Sequence, residues 1–270
     1  MEKQVRYRDS ILSYAVYGRG YPLVLLHGFG EDRRIWDLQV NALQDDAMLI
    51  IPDLPGSGQS GLPSTPGAYL TLEDYAAALL AMLDHEHIAT CTLVGHSMGG
   101  YITLAFAERW PERLQAFGLF HSTAAPDSPE KVQARQRGVE FVREHGAGKF
   151  LAEVIPNLYG EQFKLAHPDA VAAHITQAQG FSGEAIIGYY QAMMLRPDRK
   201  TVLQNFAKPV LFIMGEADKT VLLRETLPQS HMPRESHVYI WKSVAHMGMR
   251  ENPSETNTVL RAFLSHVNEN

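Results

Sequence analysis

Ser97 stands between glycines in Leu93-Val94-Gly95-His96-Ser97-Met98-Gly99-Gly100, directly after an apolar run. The pattern G-x-S-x-G has a mechanical meaning. A strand turns sharply into a helix with serine at the apex, and the glycines avoid clashes where the backbone crosses itself. The context fits, because Thr92-Leu93-Val94 precedes and Tyr101, Leu104 and Ala105 follow at helical spacing. The competing reading is a Gly-rich helix entry that binds an anion. A serine hydroxyl is almost fully protonated at neutral pH and needs a base within hydrogen-bond reach. The chain holds 12 histidines, so position must choose among them. His246, in Ala245-His246-Met247-Gly248, falls between the last strand-like run and the last helix-like run, where it can swing over a sheet edge. The base in turn needs a carboxylate to fix its tautomer and stabilise the imidazolium. Asp218 lies just beyond the run Val210 to Met214 and is the first choice; Glu216 and Asp127 are alternatives. Two donors must meet a developing oxyanion. The N–H of Phe29, in His27-Gly28-Phe29-Gly30, and that of Met98 are the candidates. His27 itself reads as a residue that pins this loop.

The elements that must position these groups alternate in type. Ile11 to Tyr17, Leu23 to Leu26, Ala47 to Ile51, Thr92 to Val94, Leu114 to Phe120, Val210 to Met214 and His237 to Trp241 have strand character. Continuous apolar runs are expected of strands covered on both faces. Between them lie helix patterns. Leu72, Tyr75, Ala76, Leu79, Leu80 and Leu83 recur at helical spacing behind a Thr71/Asp74 capping box. Near the end, Asn252, Pro253 and Glu255 open a helix whose apolar face is Val259, Leu260, Phe263, Leu264 and Val267. Strands alternating with helices predict an α/β fold with a mostly parallel sheet of about eight strands. The first two runs, 11–17 and 23–26, are expected to pair as an antiparallel edge.

The rhythm breaks between about Ser122 and Asn205, where helix patterns dominate. Ser128-Pro129-Glu130 opens one and Gly146-Ala147-Gly148 closes it. The reading is a core of residues 1–121 and 206–270 with a helical cap, 122–205, over the sheet's C-terminal edge, where ligands bind in such folds. A separate structural subdomain is the other reading.

With 270 residues, 45% apolar and 20% charged, the composition is that of a soluble globular protein with material for a large core. A net charge of −6 and no basic run argue against a nucleic-acid surface. No stretch reaches the roughly 18 apolar residues of a membrane span, and MEKQVRYRDS lacks the apolar segment of a signal peptide. With Cys91 alone there is no internal disulfide, and a cytoplasmic location is expected. Cys91, opening a buried strand, reads as inert. His85 and His87 lack the i, i+4 spacing of helical metal pairs, and no carboxylate–histidine spacing suggests a metal. Gly56-Ser57-Gly58 lacks the third glycine of a dinucleotide loop.

HGFG at 27–30, DLPGSGQS at 53–60, GHSMGG at 95–100, GEADKTV at 215–221 and HMGMRENP at 246–253, in this order, are similar to the motifs of the α/β-hydrolase superfamily and cover nearly the whole chain. The resemblance implies an α/β-hydrolase fold with the chain order Ser97, Asp218, His246. The D-x-x-G-x-G-x-S element resembles the branch holding epoxide hydrolases, haloalkane dehalogenases and small esterases. The first two place aspartate at the elbow, so Ser97 points to ester hydrolysis, with C–C bond hydrolysis, lactone opening and perhydrolysis as relatives. C–C hydrolases usually carry an aromatic residue after the histidine, whereas this chain has Met247, Gly248 and Met249. Phe120-His121-Ser122-Thr123 also has a familial look. His121 either lines a pocket or bonds loop backbone; Met193 and Met194 form either a flexible substrate wall or packing. With Met247 these complete the candidate substrate contacts. The expected function is cofactor-independent hydrolysis of a small-molecule ester with a largely apolar part. No cofactor, metal, nucleic acid or membrane partner is implied, and the oligomeric state is open. The competitor of another class is a binding protein that keeps the pocket as a receptor.

Overall fold

The computed structural model describes residues 1–65 and 67–269. Among the described residues eight strands form one sheet: β1 (Glu2–Tyr7), β2 (Ser10–Tyr17), β3 (Pro22–Leu26), β4 (Met48–Pro52), β5 (Cys91–His96), β6 (Leu114–Phe120), β7 (Val210–Gly215) and β8 (Ser236–Trp241). Their order is β1-β2-β4-β3-β5-β6-β7-β8. Only β2 runs against its neighbours, and every pair from β4 onward is parallel. The central strands β5 and β7 are buried at every residue, which explains their unbroken apolar runs.

The helices are α1 (Asp37–Leu43), α2 (Leu72–His85), α3 (Met98–Arg109), α4 (Pro129–His145), α5 (Ala147–Val154), α6 (Glu161–Ala166), α7 (Pro168–Ala178), α8 (Gly183–Met194), α9 (Lys200–Asn205), α10 (Leu223–Thr226), α11 (Gly248–Glu251) and α12 (Pro253–Glu269). Thr71 caps α2 in the reciprocal box with Asp74, and Ser128 caps α4 by accepting from the Lys131 N–H. Helix α2 packs on α3, and α1 on α12, as the layers beside the sheet. The six helices α4 to α9 all lie between β6 and β7 in sequence. Those two strands nevertheless pair directly, Phe117 opposite Val210.

The antiparallel edge differs from the sequence expectation. Strand β2 does not pair with β3, because β4 lies between them, Tyr14 opposite Pro52 on one side and Leu23 opposite Leu49 on the other. The outer partner of β2 is β1, Glu2 opposite Ala15. That strand escaped the sequence reading because EKQVRY alternates exposed and half-buried positions at an edge, with only Val5 and Tyr7 as apolar anchors.

Candidate active site

The elbow is built by close packing. A Cβ on Gly95 would lie 2.2 Å from the Gly99 carbonyl oxygen, and one on Gly99 would lie 2.7 Å from the His27 carbonyl oxygen. The first contact lets the strand end and the helix start cross; the second lets the loop after β3 lie against the elbow. Ser97 itself sits at φ 52°, ψ −115°, in backbone space that a non-glycine residue rarely occupies. Such strain persists only where the surroundings over-determine it. The result is a serine at the sheet's C-terminal edge, 8% exposed, on the first residue before α3.

Three side chains from distant segments meet there. The Ser97 Oγ lies 2.9 Å from His246 Nε2, and His246 Nδ1 lies 2.7 Å from Asp218 Oδ2. The carboxylate fixes the tautomer, since Nδ1 must donate to it and Nε2 is left to accept the serine hydroxyl. The other oxygen, Asp218 Oδ1, accepts the N–H groups of Thr220 and Val221. Burial opposes ionisation of Asp218, but the neighbouring His246 and His121 outweigh it and hold the carboxyl well below the usual range. The two alternative acids lie elsewhere. Asp127 is bound by Arg135 and Arg196, and Glu216 is exposed.

The Phe29 loop runs beside the elbow because β3 and β5 are neighbours, Leu26 opposite Gly95. The Phe29 ring stacks on Tyr190 at 4.4 Å and meets Phe150 and Tyr189 edge-on, so α5 and α8 grip this loop. Met98 is the first residue of α3, where backbone N–H groups have no partner within the helix. His27 takes the pinning role: Nδ1 donates to the Gly28 carbonyl and Nε2 accepts the Leu54 N–H.

The remaining candidates spread out. His121 is 1% exposed, and its Nδ1 lies 3.3 Å from Asp218 Oδ2, out of line for a hydrogen bond. It stands behind the acid. Burial pushes its pKa down to about 4. Met193 and Met247 are buried, and Met194 is half-buried beside Met193 near the end of α8.

Sequence reasoning missed two acids that support the site. Glu251 accepts three backbone N–H groups, from Gly160, Ala245 and Met247, on both sides of the histidine and from the helical insertion. Glu31 accepts the Gly28 N–H and faces His96 Nδ1 at 3.0 Å. Glu31 carries no short-range signal, because its partner lies 65 residues away in sequence. At the surface, His237 and His266 Nε2 reach Glu235 Oε1 at 2.9 and 2.5 Å, which ties α12 to β8. A groove of about 560 Å³ lined by Asp32, Arg34, Gln59 and Phe181 does not include the serine. Four of its charged side chains pair with one another, Arg33 with Asp53 and Arg34 with Asp32. Among the described residues no helix is long and apolar enough to cross a membrane.

Comparisons with known proteins agree with this architecture. A family model described as the alpha/beta hydrolase fold matches residues 21–167. The chain is 41% identical over 253 residues to the dihydrolipoyllysine-residue acetyltransferase component of the acetoin cleaving system of Pseudomonas putida; the match covers 91% of this chain and 64%, under two thirds, of that relative. It is 34% identical over 277 residues to a cis-3-alkyl-4-alkyloxetan-2-one decarboxylase of Shewanella oneidensis, covering 94% of this chain and 85% of the other. Among solved structures, an esterase from Thermogutta terrifontis with malate bound gives a TM-score of 0.90 at 30% identity, covering 96% of this chain and 94% of the other.

Proposed function

The chain belongs to the α/β-hydrolase family, and we propose that it hydrolyses small carboxylic esters through an acyl-enzyme on Ser97. The observation that carries this reading is the relay Ser97 Oγ–His246 Nε2, His246 Nδ1–Asp218 Oδ2 at 2.9 and 2.7 Å on a strained elbow. In this mechanism Ser97 Oγ attacks the ester carbonyl while His246 Nε2 takes its proton. Asp218 holds the imidazolium that forms. The Phe29 and Met98 N–H groups receive the oxyanion, and loss of one such donor typically costs 10²- to 10³-fold in rate, a rough scale for each. The imidazolium then gives its proton to the leaving alcohol. Water, deprotonated by His246, attacks the acyl-enzyme, and the imidazolium returns the proton to Ser97 Oγ as the acid is released. The scheme needs no redox step and no electron carrier.

The helices α4 to α9 act in this proposal as a cap. Support comes from contacts that reach the site itself: Tyr190 on Phe29, the Tyr189 hydroxyl on the Pro55 carbonyl, and the Leu158 carbonyl on the His246 N–H. The aromatic groups that grip Phe29 favour an apolar acyl or alcohol part. A lactone is the second reading. It is favoured by the 34% identity to a relative whose name carries an oxetan-2-one, and a cyclic ester opens by the same first step.

The test is turnover of a series of chromogenic acyl esters and of a β-lactone, with Ser97→Ala as control. The proposal expects ester turnover that vanishes in the variant and a serine-directed phosphonate probe that labels the peptide containing Ser97. A label elsewhere sinks the nucleophile assignment. Tight ligand binding without turnover of any ester supports the receptor instead.

A further inference from the structure

His96 precedes the nucleophile and is fully buried. Its two ring nitrogens face two acceptors: Glu31 Oε2 at 3.0 Å from Nδ1, and the His246 carbonyl oxygen at 2.9 Å from Nε2. A backbone carbonyl has no proton to give, so Nε2 must donate. Glu31 Oε2 already accepts the Gly28 N–H at 2.7 Å, which favours the ionised carboxylate and a donor at Nδ1. With both nitrogens donating, the ring carries a positive charge. His27, on the loop that carries Gly28, shows the contrast, since its Nε2 accepts the Leu54 N–H.

We infer that Glu31 and His96 form a permanent carboxylate–imidazolium pair that acts as a positioning device, fixing the oxyanion loop and the base loop on either side of Ser97. One line of hydrogen bonds runs from the Gly28 N–H through Glu31 and His96 to the His246 carbonyl. It thus joins the segment before Phe29, the elbow, and the residue that carries the base. The kinetic part of the inference rests on the esterase reading; the charge state does not.

The surroundings support the charged form. Burial alone would lower the His96 pKa, yet Glu31 outweighs it and raises the pKa above the ordinary value. Burial opposes ionisation of Glu31, yet His96 brings its pKa down to about 2. The other titratable groups that face the pair are few. Asp218 adds attraction for the His96 cation. The His246 ring lies 4.9 Å away and the His121 ring 6.3 Å away between centroids. His174 and Tyr159, hydrogen-bonded to each other at 3.0 Å, stand on the Glu31 side.

The direct test is ¹⁵N NMR of histidine side chains in the intact protein. An imidazole with an ordinary pKa of about 6.5 is neutral at about pH 8.5. The inference expects one buried imidazole, identified by the loss of its signals in His96→Gln, to keep both nitrogens protonated at that pH. A bare Nδ1, the signature of a neutral carboxylic acid–imidazole pair, overturns it whether or not the protein turns over esters. In the second arm, Glu31→Gln and His96→Gln are compared with the wild type on the best ester. The expected result is a kcat reduced at least tenfold with KM changed less than about threefold, and in Glu31→Gln an NMR spectrum in which His96 now deprotonates below about pH 8.5. Folded variants with unchanged kcat overturn the positioning role. Absence of ester turnover in the wild type sinks the esterase reading and leaves the NMR result to decide the charge.

Discussion

The backbone N–H of His246 donates to the carbonyl of Leu158 at 2.9 Å, so the proposed base is tied to the helical insertion as well as to the sheet. Glu251 reinforces the tie from below, holding Gly160 of the insertion together with Ala245 and Met247 around the base. Leu158 and Gly160 are thus hydrogen-bonded, one to the residue that carries the base and the other to its support.

Glu251→Ala leaves three backbone N–H groups without their acceptor. Stability is expected to fall by about 1–3 kcal/mol, the scale of unmet buried donors, as read from urea unfolding. Ester kcat is expected to fall about tenfold, the effect of roughly 1.4 kcal/mol in the barrier. A variant that loses stability but keeps the full kcat shows that Glu251 holds the fold alone.

Asp218→Asn keeps the shape of the acid and removes its charge. The imidazole then loses the partner that selects its tautomer, and kcat is expected to drop on the order of 10⁴-fold. Thr220 and Val221 still have Oδ1 to bond, so unfolding midpoints should change far less than activity. A fall of less than about tenfold (about 1.4 kcal/mol) removes Asp218 from the relay.

His121 gives the stability a pH dependence of known sign. Burial depresses its folded pKa from the ordinary 6.5 to about 4. As pH falls through that window the unfolded chain takes up the proton before the folded one does. Stability is therefore present above about pH 6.5 and is lost as pH falls towards about 4. His121→Asn removes the titration, and asparagine tolerates the backbone φ of 47° at this position. Urea midpoints measured across the window should decline less steeply in the variant than in the wild type; parallel slopes refute the assignment.

Gly95→Ala inserts a Cβ where the Gly99 carbonyl oxygen stands 2.2 Å away. Backbone, not a side-chain tip, is in the way, so the elbow must open or the strand must shift. The expected outcome is insoluble protein or a loss of about 3 kcal/mol or more, at the upper end of overpacking effects. Gly180→Ala, with open space around it, serves as the control and should leave the unfolding midpoint near the wild type.

The parts of this molecule legible in the sequence are those with short-range signatures. Fully buried strands such as β5 and β7 announce themselves as apolar runs, and the elbow, the acid loop and the histidine loop each carry a local motif. Ser97, His246 and Asp218 were grouped from those motifs, and in the structure their side chains meet. What escaped depends on juxtaposition. Glu31 looks like an ordinary loop acid until the turn after β3 is laid against the end of β5 and His96 appears opposite it. Strand β1 escaped for another reason, since an edge strand with one open face needs little apolar sequence. The expected pairing of β2 with β3 failed because adjacency in sequence says nothing of a later strand, β4, entering between them.

Strands β6 and β7 pair with each other although six helices intervene in the chain, so the ladder beneath the insertion runs on without a gap. The insertion therefore leaves and re-enters the sheet at two neighbouring strands. A graft set between those strands would not rethread the sheet, but it would have to replace what Leu158, Gly160 and Tyr190 contribute: the carbonyl on the His246 N–H, the N–H on Glu251 and the ring on Phe29.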